Sequence, residues 1–131
     1  MKELKGLNAA ANKIHAAAKE KGFYDNPKEI GTLLMLCVSE LGEALESDRK
    51  EAYTDMIGYE KNMCGYSPEN NPSTFEFTFE NEIKDTFEDE IADTIIRLLD
   101  LCGYKNIDIE KHIDLKLKYN RLRSKLHGKN Y

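Results

Sequence analysis

Two stretches of this chain space acidic side chains so that they could do chemistry. SELGEALESDR, residues 39–49, carries Glu40 and Glu43, and EDEIADTIIRLLDLCG, residues 88–103, carries Glu90 and Asp93. Acids three apart lie on one face of a helix, one turn from each other. On a wheel of about 100° per residue starting at Glu40, Ile30, Leu33, Leu34, Cys37, Leu41, Ala44 and Leu45 fall between about 20° and 140°. Counted from Glu90, Ile83, Phe87, Ile91, Ile95, Leu98, Leu101 and Cys102 fill nearly the same arc. Glu40 and Glu90 thus sit on the edge of an apolar face, with Glu43 and Asp93 one step outside it. If the two faces pack against each other, four carboxylates converge at one rim of the core.

Converging carboxylates repel, and each raises the others' pKa unless a cation lies among them. Hard divalent cations with oxygen ligands are the natural occupants, Mg²⁺ above all, with Mn²⁺ as a substitute. Such a cation keeps positions open for water and for substrate phosphate, so the pattern points to phosphoryl or nucleotidyl chemistry. The bland reading is a solvated acidic helix edge. A di-iron or di-manganese bundle is the other competitor, but it uses E-x-x-H pairs, and neither pair here has a histidine at the fourth place.

Lys116, Asn120, Arg123 and His127 succeed one another at spacings of four, three and four, so they share a helix face that Ile109 and Ile113 begin. That file could bring cations and an amide to a phosphate or base, or simply complement a helix C-terminus. His15 shares a face with Asn8 and Asn12, where a hydrogen-bonded helix histidine is the plainer role. Tyr24, Tyr53, Tyr59 and Tyr66 could stack on a base or close a loop over the core.

The elements that must position these groups read as helices. Leu4, Leu7, Ala11, Ile14 and Ala18 predict one over 3–21, ended by Gly22. Asn26, Pro27 and Glu29 look like an N-cap, a first-turn proline and a third-position glutamate, opening a helix that runs to about Arg49. A third is expected from near Glu80 to about Gly103. A fourth is expected from an N-cap at Asp108 to about His127. Between the second and third lie residues 52–79, with a possible short helix at 56–63. GYSPENNPSTFEFTF reads as a loop with a short extended piece at FEFTF. The fold class is all-α, most simply a four-helix bundle with a long insertion.

The chain of 131 residues is expected to form one domain. A formal charge of −5 argues against a nucleic-acid partner. Cys37, Cys64 and Cys102 form no C-x-x-C pair and suit a reducing compartment. No signal peptide or membrane span is evident, so a cytoplasmic protein is expected.

Taken in order, NKIHAAAKEKGFYD, LLMLCVSELGEALESDR, FEDEIADTIIRLLDLCGYKNIDIEKHI and KLKYNRLRSKLHGK resemble the blocks of the MazG-like, all-α nucleoside triphosphate pyrophosphatase superfamily. The likeness covers most of the chain apart from about 50–80. The family's E-x-x-E, spacer, E-x-x-D signature here reads Glu40, Glu43, Glu90 and Asp93. The resemblance implies that these four acids bind Mg²⁺ and are the catalytic set. It implies that water attacks the α-phosphorus of a nucleoside triphosphate, releasing pyrophosphate and a monophosphate. Lys116, Asn120 and Arg123 match the block that contacts phosphate and nucleoside, and His15 and Tyr24 match positions that border the base. A homodimer or homotetramer is also implied. The spacer is longer than the family's, and SKLHGK replaces a proline-containing, glycine-richer tail. The alternative is a nucleotide-binding or regulatory module of the same fold that does not turn over.

Overall fold

The computed structural model describes residues 5–123, and every regular element among them is a helix. In chain order these are α1 (Leu7–Glu20), α2 (Ile30–Arg49), α3 (Met56–Asn62), α4 (Pro72–Glu82), α5 (Phe87–Tyr104) and α6 (Ile109–Arg121). None is long and apolar enough to cross a membrane. They form two compact units. Among the described residues, one combines 5–28 with 98–123; the other is Glu29–Arg97.

In the first unit, α1 ends in a Schellman motif. Gly22 takes a left-handed φ of 82°, while its N–H reaches the Lys19 carbonyl and the Phe23 N–H reaches that of Ala18. α5 ends the same way with Asn106 in the left-handed position. α1 and α6 cap each other's starts. The Glu110 carboxylate accepts from the Asn8 backbone N–H at 3.0 Å, and Asn8 Oδ1 accepts from the Glu110 N–H at 3.3 Å. Asp108 is the expected N-cap of α6 and accepts from the Lys111 N–H. That helix stops at Arg121, short of the expected end, and His127 lies outside the described residues.

α1 crosses α5 closely at Gly103. A Cβ added there would lie 2.6 Å from His15 Cβ and 2.8 Å from the Ala11 carbonyl oxygen. Gly103→Ala would gain up to about 1 kcal/mol of helix propensity. It must also push a backbone oxygen away, which in a tight contact costs about 1–3 kcal/mol. A lower melting temperature is expected, and an unchanged or higher one would mean that the crossing relaxes freely.

In the second unit, α2 begins three residues later than the Asn26-Pro27-Glu29 signal implies. Glu29 is the N-cap, in an extended conformation with no side-chain capping bond. Residues 23–28 are held elsewhere: the Tyr104 hydroxyl donates to the Lys28 carbonyl, and Lys28 Nζ lies over the Phe23 ring. These ties override the local cap. α2 stops at Arg49 as expected, in a Schellman turn with Glu51 at φ 56°.

The FEFTF segment is not extended but lies inside α4. Pro72 opens that helix rather than breaking it, because a first-turn proline gives up no intrahelical bond. Phe75 and Phe79 then stand one turn apart, with ring centroids 5.8 Å from each other. α5 starts at Phe87 instead of near Glu80, since Asp85 turns the chain at φ 62° and Thr86 accepts the Asp89 N–H. α3 fills the place of the expected short helix, with the Asp55 side chain accepting from the Gly58 N–H.

The ends of α2 and α5 are pinned together. Ser47 Oγ donates to the Asp85 carbonyl at 3.0 Å, the Phe87 N–H donates to Ala52 O at 2.8 Å, and the Thr54 and Thr86 hydroxyls lie 2.8 Å apart. Tyr53 closes this junction by packing edge-on against Phe87. α2 therefore runs into the junction and α5 runs out of it.

Candidate carboxylate site

That junction sets the register of the four acids. Glu43 and Glu40 lie four and seven residues back from Ser47, and Glu90 and Asp93 lie four and seven residues on from Thr86. At 1.5 Å per residue both pairs are about 6–10 Å from the same point. Equal offsets along two antiparallel helices bring the carboxylates to one level.

The structure does bring them together. Carboxylate oxygens of Glu40, Glu90 and Asp93 all lie within 4.8 Å of one another. Glu43 is exposed at the edge of this group, within hydrogen-bonding reach of Glu40 and Glu90. Glu40 and Glu90 are not at the rim but buried, at 8% and 5% exposure. A second triad, Asp85, Asp89 and Glu90, shares the Glu90 carboxylate.

The cluster has further members that a four-acid pattern leaves out. Arg97 donates from Nε to Glu40 Oε1 at 2.6 Å. It lies four residues beyond Asp93, so the file 90, 93, 97 is visible at helical spacing. Asp85 and Asp89 precede Asp93 at intervals of four and are equally visible.

Crowding and burial show in the proton affinities. Burial pushes Glu90 up to about 7, helped by the Glu43 charge and by hydrogen bonds that its protonated form donates to Glu40 and Glu43. The hydrogen bond with Glu40, then its charge, raises Glu43. Burial raises Asp93, followed by the charges of Asp89 and Glu40. Glu40 goes the other way. Burial opposes its charge, but the Arg97 guanidinium and the neighbouring carboxyls outweigh that and hold it below the usual carboxylate range.

This makes stability depend on pH in the protein without divalent cations. Folded Glu90 holds its proton up to about pH 7, against an ordinary value of 4.5. The folded state binds the proton more tightly, so this contribution is fully present below the ordinary value and is lost as pH rises through the folded one. Stability in chelator should fall by roughly 3 kcal/mol between about pH 5 and about pH 8. Chemical denaturation across that range checks it, and a flat profile would mean that the carboxylates are relaxed together.

The other expected site residues lie in the first unit. His15 and Tyr24 meet on a residue that sequence pattern alone does not flag, the buried Asp100. Nδ1 of His15 is 2.9 Å from one carboxylate oxygen, and the Tyr24 hydroxyl donates to the other at 2.6 Å. Tyr24 stacks on Tyr104, with centroids 5.0 Å apart. Lys116 Nζ lies over the Tyr119 ring at 5.2 Å and the Arg123 guanidinium at 5.7 Å, while Asn120 is half-buried.

The apolar arcs behave unexpectedly. On α2 the stripe Leu33, Cys37, Glu40, Ala44, Ser47 is buried. The adjacent stripe Leu34, Val38, Leu41 and Leu45 is between 46% and 53% exposed. On α5, Glu90 and Thr94 are buried while Ile95, Ile96 and Leu98 are exposed. Among the described residues no large side chain is completely buried. The periodicity marks faces that favour burial, and among the described residues these stripes stay half-exposed.

Comparison with protein-family models, with curated proteins and with solved structures finds no match to this chain.

Proposed function

We propose that this chain is an Mg²⁺-dependent nucleoside triphosphate pyrophosphohydrolase of the MazG-like kind, converting a ribo- or deoxyribonucleoside triphosphate to its monophosphate and pyrophosphate. The observation that carries the reading is the meeting of Glu40, Glu90 and Asp93 within 4.8 Å, with Glu43 at their edge, on antiparallel helices. An all-oxygen donor set is what Mg²⁺ takes, and the raised proton affinity of Glu90 is the mark of carboxylates short of positive charge. Such a cation supplies neutralisation and polarisation of phosphate oxygens, for which Glu40, Glu43, Glu90 and Asp93 are the candidate ligands. Glu43, the solvent-facing member, is open to a water, and a carboxylate of the set would orient the attacking water and take its proton. Arg97 holds Glu40 in place.

The fold that goes with this reading is a four-helix bundle with residues 52–79 as its insertion, in a cytoplasmic protein. The half-exposed α2 stripe supports a homodimer or homotetramer, because a stripe of four large aliphatic side chains favours a covering partner.

A panel of ribo- and deoxyribonucleoside triphosphates with Mg²⁺, read by pyrophosphate release, tests this. Release that stops on chelation is expected. Tight nucleotide binding with no product from any member would instead favour the non-catalytic module, and neither binding nor product would sink both.

A further inference from the structure

The second unit holds a cleft of about 640 Å³ between α4 and the start of α5. Its size falls in the range of small-molecule sites, roughly 300–1,000 Å³. One wall is a face of α4, where Phe75 and Phe79 alternate with Glu76 and Glu80; Asp93 and Lys84 are part of the other side. We propose that this cleft seats the nucleoside of the substrate, its base against the Phe75 and Phe79 rings, with its phosphates directed to the carboxylate site at Asp93. This rests on the pyrophosphohydrolase reading and adds where the nucleoside goes.

Three observations favour this occupant. Asp93 belongs to the cleft and to the carboxylate cluster at once, so a ligand filling the first reaches the second without a gap. The two rings are half-buried, and at 5.8 Å apart with a 50° tilt they present aromatic surface along a single helix face. Every base has a π-face that stacks on such rings. The charges of the lining decide which end goes where. Lys84 is the single cation there among several carboxylates, so a triphosphate would be repelled from the cleft itself. A base and sugar are neutral, and their N–H and O–H groups can donate to Glu76 and Glu80, which as carboxylates only accept. A purely apolar ligand would leave those acids facing it.

The test is calorimetric titration, with Mg²⁺, of α,β-imido nucleoside triphosphates that are not cleaved, with inorganic tripolyphosphate as the baseless comparison. The proteins are the parent chain, Phe75→Ala/Phe79→Ala, Phe75→Leu/Phe79→Leu and Asp93→Asn. The leucine variant keeps apolar volume on α4 but has no ring to stack, so it guards against a folding defect, and far-ultraviolet circular dichroism monitors the helices. The parent chain is expected to bind the imido nucleotide more tightly than tripolyphosphate. Both phenylalanine variants should lose nucleotide affinity by about 10- to 100-fold with tripolyphosphate affinity unchanged, whereas Asp93→Asn should weaken both ligands. If the leucine variant retains the full preference for nucleotide, the cleft is not the nucleoside site, although the carboxylate site stands. If the parent chain binds neither ligand, the pyrophosphohydrolase reading fails and the cleft assignment falls with it.

Discussion

On the pyrophosphohydrolase reading, Asp93→Asn is expected to cut pyrophosphate release by at least about 10²- to 10³-fold, because it removes a ligand of the cation that would neutralise transition-state charge. In chelator, the same variant should melt higher than the parent chain. The opposite signs have one cause. Without cations, Asp93 carries a charge that burial and the neighbouring Asp89 and Glu40 disfavour, so its proton affinity is raised. The amide keeps the shape and removes the repulsion. On the proposed reading the same charge would hold the cation, and its loss would be felt in turnover. Initial rates with Mg²⁺, paired with melting curves in chelator and in Mg²⁺, measure both effects. An acid that merely decorates a solvated helix would change neither, and full activity in Asp93→Asn together with Glu43→Gln would sink the catalytic assignment.

The second large effect is on stability. Arg97→Met removes the guanidinium that sits 2.6 Å from Glu40 and leaves a carboxylate with a 10%-exposed side chain beside Glu43 and Glu90. Losing one partner of a buried pair costs about 3–5 kcal/mol. Arg97 is itself 35% exposed and partly screened, so about 2–3 kcal/mol is expected in chelator. Two controls separate electrostatics from lost packing. Adding Glu40→Gln to Arg97→Met should recover most of the loss, because the orphaned charge is gone. Saturating Mg²⁺ should narrow the gap, since a cation among the carboxylates does part of the work of Arg97. If neither restores stability, the arginine matters through its aliphatic stem.

The acidic pairs are legible in the sequence because helical spacing is a property of the chain alone. Glu40, Glu43, Glu90 and Asp93 need only that their segments be helices and that the two helices meet along the faces that carry them. Arg97, Asp85 and Asp89 obey the same spacing, but a motif of two acids per helix does not extend to them. The N-cap of α6 is legible from Asp108, whose side chain accepts the Lys111 N–H three residues on. The start of α2 is not, because Lys28 answers to Tyr104 and Phe23, which are distant in sequence or outside the cap. In α4, the alternation of Phe75, Glu76, Phe77, Thr78 and Phe79 imitates a strand. The same residues also satisfy a helical pattern, with Thr78 buried and donating to the Thr74 carbonyl. Pro72 can act as a breaker or as a starter, and only the helix packed behind it decides between the two. The apolar arcs show a further limit: periodicity says that a face favours burial but not how much of it is covered.

The junction where Ser47 meets Asp85 and Ala52 meets Phe87 separates two kinds of evolutionary freedom. The positions of the four carboxylates are counted outward along α2 and α5 from this clasp. The chain between its halves, α3 and α4 included, can therefore lengthen, shorten or be exchanged without re-aiming any of the acids. A residue inserted between Thr86 and Glu90 would instead rotate the second pair by about 100° and scatter the set. Because α4 supplies a wall of the cleft, a change in that segment would reshape the cleft while leaving the spacing of the acids along α2 and α5 as it is.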